Sequence, residues 1–220
     1  IANKIRLALH WTPKQYRKTL SVLREYIKVT EVLMSDNKWD DINFSQVPSK
    51  ASLQYRKAFA KHTPEKYAQF ITDVKSDKTK INASALFPYE IYEKARSYGE
   101  SSETLDVLWD SLPDYFGDNK RNILPIADCS LSMNSGIPHG RPMAIAVSLT
   151  IYIAERNKGI FKDYFITYSE TPVLQKIVGK NIREKIACIE KQRHINTNIQ
   201  AVFDLILDQA ISNEVSKEDM

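Results

Sequence analysis

Scarcities delimit this chain first. Glycine occurs only 6 times and cysteine twice in 220 residues, which excludes a collagen-like, linker-like or disulfide-stapled protein. Cys129 and Cys188 have no CxxC spacing, so reduced thiols packed as small apolar groups are expected. No apolar run approaches the roughly 20 residues of a membrane span, and Ile1-Ala2-Asn3-Lys4 lacks the pattern of a secretory signal. The expectation is therefore a cytoplasmic chain with no membrane partner, and a longer parent chain, since the first residue is not Met. No P-loop, dinucleotide fingerprint or G-x-S-x-G elbow occurs, and His10, His62, His139 and His194 carry no triad signature.

What is present is enough apolar matter, 43% hydrophobic residues, to build a sizeable core. The net charge of +4 is unevenly spread. Residues 1–80 carry 16 Lys and Arg against 8 Asp and Glu, while the remainder is slightly acidic. Such asymmetry suits either ordinary solvated helix faces or a polyanion.

Hydrophobic spacing predicts a helical first part, 1–118. One long helix is expected over 12–34, opened by Thr12-Pro13 and carrying Tyr16, Leu20, Leu23, Ile27 and Leu33 on one face. Ser49 is expected to cap a second, with Leu53, Tyr55 and Phe59, and Thr63-Pro64 to open a third, with Tyr67, Phe70, Ile71 and Val74. A short helix over 89–98 and another capped by Ser101 or Ser102 and stopped by Pro113 complete this part. From residue 119 short apolar runs alternate with helical patterns, the signature of an α/β domain around a parallel sheet. Strands are expected at 122–127, 164–168 and 173–178, with helices at 143–156, 182–191 and 197–212. The helix at 143–156 is apolar almost all round and should be buried.

The chemistry concentrates where the first strand should end. In Asp128-Cys129-Ser130-Leu131-Ser132 one carboxylate and two hydroxyls, two residues apart, can turn three hard oxygens towards one small cation. Mg²⁺, or Mn²⁺, is the natural guest, because such an ion keeps open positions that an acidic side chain of a protein partner can fill. Thr197, on a second loop before the last helix, could add another oxygen. Plain loop chemistry, with Asp and Ser bonding nearby backbone, explains the same residues without a metal. A phosphatase of the aspartyl-phosphate type would want a second carboxylate where Ser130 stands, so a binding role is preferred to catalysis.

The order of strand, D-x-S-x-S, buried helix, strand and Thr-bearing loop resembles the metal-ion-dependent adhesion site of von Willebrand factor A domains. Tyr16-Arg17-Lys18 with Leu23-Arg24, Trp39-Asp40-Asp41-Ile42, Val47-Pro48-Ser49, Tyr55-Arg56 and Leu86-Phe87-Pro88 resemble a family related to the Ro autoantigen, in which a helical TROVE-like region precedes such a domain. The resemblance implies a Rossmann-like sheet, Asp128, Ser130, Ser132 and Thr197 as metal ligands, and a further Asp-bearing strand beyond Asp219-Met220. It also implies RNA binding by the helical part, with Lys14, Arg17, Lys18 and Arg24 on phosphates. The oligomeric state has no signature in the chain.

Overall fold

The computed structural model describes residues 1–27, 29–97, 103–117, 123–134, 142–192 and 198–216. Thr12 opens the basic helix as the sequence leads one to expect. Its side chain accepts from the Gln15 backbone N–H, Gln15 reciprocates at the Thr12 N–H, and Pro13 occupies the first turn. The helix does not run to residue 34. It stops as α2 (Pro13–Tyr26), and a separate α3 (Thr30–Ser35) follows, with a preceding α1 (Ala2–Ala8) that the periodicity had not revealed. Tyr26, Ile27 and Val29, at the break, are aromatic or β-branched residues of weak helix propensity.

α4 (Ser49–His62) and α5 (Pro64–Lys75) form a helical hairpin over an aromatic cluster. Phe44 meets Tyr67 edge-on at 5.0 Å and Phe59 at 5.1 Å, and Phe70 lies against the same ring. Ser49 does not cap α4. Its hydroxyl donates to Asn82 Oδ1 at 2.7 Å and accepts from the Ala85 N–H, pinning the helix start to the segment before α6 (Pro88–Ala95). α7 (Glu103–Asp110) buries Leu105, Val107, Leu108 and Trp109; the expected Ser101 and Ser102 caps lie outside the described residues.

The second part is mixed α/β with a three-stranded sheet among the described residues, ordered β1 (Ile126–Ala127), β2 (Tyr164–Thr167), β3 (Leu174–Lys176). β1 and β2 are parallel because α8 (Pro142–Arg156) lies between them in the chain. β2 and β3 are antiparallel, contrary to the all-parallel expectation: residues 168–173 are too few for a crossover helix, so the chain can only turn back. Among the described residues these strands form a small mixed sheet rather than an all-parallel one. α8 buries Met143, Ala144, Val147, Ile151 and Ala154, but Ile145 and Leu149 on its other face are exposed, so its apolar circumference is not fully covered.

The two parts share one core. α6 and α7 pack on α8 and α9 (Ile182–Glu190), and the buried residues of both belong to a single cluster. Polar contacts reinforce the seam. Asp106 Oδ1 accepts from the Ile182 N–H at 2.8 Å, covering the start of α9 from across the seam. Arg183 donates to the carbonyls of Ala95 and Ser97, at 2.9 and 2.6 Å. Tyr152 donates to the Pro113 carbonyl and accepts from the Tyr115 N–H. The last helix, α10 (Ile199–Ser212), buries only Val202 among the described residues.

Candidate functional site

β1 ends at Ala127 because the chain turns away there, with the Tyr168 N–H donating to the Ala127 carbonyl at 3.0 Å as the last rung beside β2. Asp128 follows at the carboxyl end of a parallel pair, the edge where open α/β sheets hold ligands. Its Oδ1 accepts from the Ser130 N–H at 2.9 Å, an Asx-turn that folds the loop back on itself. The turn brings Ser130 Oγ to 2.9 Å from Ser132 Oγ, and residues Leu131–Asn134 continue as a 3-10 turn. Ser130 is buried, Asp128 half-buried and Ser132 exposed, so the three residues grade from core to water.

The donor set fits a small hard cation. Two neighbouring ligands of an octahedral Mg²⁺ at about 2.1 Å from the metal stand about 3.0 Å apart, and the two hydroxyls already have that separation. A carboxylate offers about four lone-pair positions, so one backbone bond to Asp128 leaves room for an ion. Among the described residues no three His, Cys, Asp or Glu side chains gather around a common point, so an ion here would draw chiefly on neutral hydroxyls and water. Thr197, with His139 and His194, lies outside the described residues. Cys129 is buried and Cys188 half-buried, and neither forms a disulfide among the described residues.

Sequence reading passed over Thr167 and Ser169, buried hydroxyl residues at the corresponding end of β2. Only the parallel pairing of β1 with β2 sets them at the edge that carries Asp128. Far from this edge in the sequence, Lys14, Arg17, Lys18 and Arg24 are exposed on α2. At about 100° per residue they share an arc of about 120°, so they form one basic face.

Comparison with known proteins assigns the halves separately. Residues 4–119 match a domain of unknown function, DUF2828. The chain belongs to the DUF2828 family. Residues 122–220 of this DUF2828 protein match a second domain of unknown function, DUF7788. An uncharacterised protein (L728) of Acanthamoeba polyphaga mimivirus is 31% identical over 236 residues, covering 100% of this chain, which spans 40% of the viral protein's length. No solved structure matches. These findings overturn the resemblance to von Willebrand factor A domains and to the Ro-related TROVE family, because the matched families are others. Short D-x-S-x-S spacing and a helical neighbour are patterns that unrelated chains reach through the same loop physics.

Proposed function

We propose that this DUF2828 protein is a non-catalytic binding module in which Asp128, Ser130 and Ser132 hold a Mg²⁺- or Mn²⁺-like ion that accepts an acidic side chain of a protein partner. The observation that carries this reading is the 2.9 Å spacing of the two serine hydroxyls beside the Asp128 turn. One formal charge from the loop leaves such an ion electrophilic, and the exposed Ser132 leaves one side open to a partner. A bond-making role is less well supported, because the position two residues after Asp128, where an acid or base would stand, is a serine that already bonds its neighbour.

The test is a thermal melt of the 220-residue chain titrated with MgCl₂ or MnCl₂ to about 10 mM, a range that reaches weak oxygen-ligand sites. At a hundredfold excess over Kd, binding contributes about 2.7 kcal/mol and raises Tm by about 5 °C or more for a chain of this size. Asp128→Ala abolishes the rise while leaving the metal-free melt close to wild type. A flat titration of the wild-type chain with both ions overturns the proposal.

A further inference from the structure

The N-terminal 27 residues stand out for two independent reasons. Among the described residues nineteen large hydrophobic side chains are exposed, and eight of them, from Ile1 to Ile27, fall in this stretch. The same stretch holds six Lys or Arg and a single acidic residue, Glu25. α1 and α2 contain no buried residue. In α2 and the residue that follows it, Val22, Leu23, Tyr26 and Ile27 are 65%, 50%, 84% and 67% exposed. At about 100° per residue these four span an arc of about 140°, with Lys18 beside one edge and Arg24 beside the other.

We propose that this arc is a docking surface for an anionic phospholipid bilayer, with the C-terminal end of α2 lying in the plane of the headgroups. Apolar side chains enter the headgroup–acyl boundary while the flanking Lys18, Arg24 and Arg17 extend along it to lipid phosphates, the arrangement that holds interfacial helices on membranes. Charge complementarity selects this occupant. An anionic leaflet meets the cations on both edges of the arc at once and can also take up the exposed Ile5 and Leu7 of α1 and Leu9 just after it, whereas a nucleic acid would engage the basic face and leave the apolar arc in water. Among the described residues no helix is long and apolar enough to cross a membrane. The absence of a spanning segment leaves surface docking open, and the proposal departs from the expectation of no membrane partner.

The experiment is co-sedimentation of the 220-residue chain with large vesicles of phosphatidylcholine containing about 30% phosphatidylserine, against phosphatidylcholine alone. Binding is expected to the anionic vesicles, weakening sharply between about 50 and about 200 mM salt. Arg17→Gln and Arg24→Gln each lower the partition about fivefold, and Leu23→Glu with Ile27→Glu lowers it at least about tenfold. All four positions are exposed, so circular dichroism of the variants should match wild type. Equal binding to uncharged vesicles, or none to anionic ones, overturns the proposal. So does retention on single-stranded RNA without vesicle binding, or a dimer of the chain that Leu23→Glu dissolves, since either assigns the face to another occupant.

Discussion

At the scale of single residues, one buried hydroxyl and one desolvated carboxyl set the clearest expectations. The Tyr67 hydroxyl sits inside the aromatic cluster and makes no well-formed hydrogen bond. Burial raises its pKa, offset in part by Thr104 and the Arg56 charge. An unpaired buried hydroxyl costs roughly 1 kcal/mol or more, so Tyr67→Phe is expected to leave Tm unchanged or raise it, measured by a thermal melt. A fall of several degrees would show that the hydroxyl has a partner after all. Asp110 carries the pH-dependent counterpart. Desolvation raises its carboxyl pKa, with Lys185 opposing and Glu155 and Asp106 adding to the rise. An acid whose folded pKa lies above its unfolded value weakens the fold once pH passes both, and the penalty vanishes below the unfolded value. Asp110→Asn therefore raises Tm at pH 7 by no more than about 1 °C, because the residue is exposed and water screens most of the effect, and leaves it unchanged near pH 3. A larger gain at pH 3 than at pH 7 would contradict that sign. The turn at Asp128 was legible in the sequence because an Asp with a Ser two residues on favours an Asx-turn. The role of Asp110 was not, because it depends on which charges other helices bring near.

Between elements, the contact of α7 with α8 and α9 turns on Glu155. Its Oε2 accepts from Trp109 Nε1 at 2.7 Å, and its Oε1 pairs with Lys185 Nζ at 2.5 Å. Both partners in the ion pair are about four-fifths buried, at 20% and 22% exposure, so neither is well served by water if left alone. Glu155→Gln keeps an acceptor for the indole but strands the ammonium, and should cost about 1–2 kcal/mol by urea denaturation. Adding Lys185→Met should restore most of that loss, and a double-mutant cycle reads the coupling directly. If the two substitutions add with no coupling, the pair contributes nothing. Helix periods announced α7, α8 and α9 in the sequence, nearly to the residue for α8. Which of their polar side chains would face one another was not written there, since Trp109 and Glu155 are 46 residues apart.

For the molecule as a whole, two family spans meet a single core. Ile91, Tyr92, Leu108 and Trp109 of the first span are almost fully buried, and they pack in one cluster with Val147, Ile151 and Ile186 of the second. The intact chain should therefore unfold in one transition, with tryptophan fluorescence and far-ultraviolet circular dichroism superimposing. Residues 1–119 alone should bind a hydrophobic dye and aggregate, because α6 and α7 would then show their inner faces to water. Two separated transitions in the intact chain would refute a shared core. Local matters were settled by the chain on its own: the Thr12-Pro13 helix start, the period of α5 and α8, the alternation that announces strands, and the cluster of oxygens at 128–132. These depend on neighbours within a few residues, where sterics and hydrogen bonding act directly. The tertiary structure alone decided that one face of α8 stays wet, and that Thr167 and Ser169 lie at the same edge as Asp128. Those outcomes depend on which distant surfaces are brought together and on how much chain is available to connect them, and no periodicity along the sequence records either.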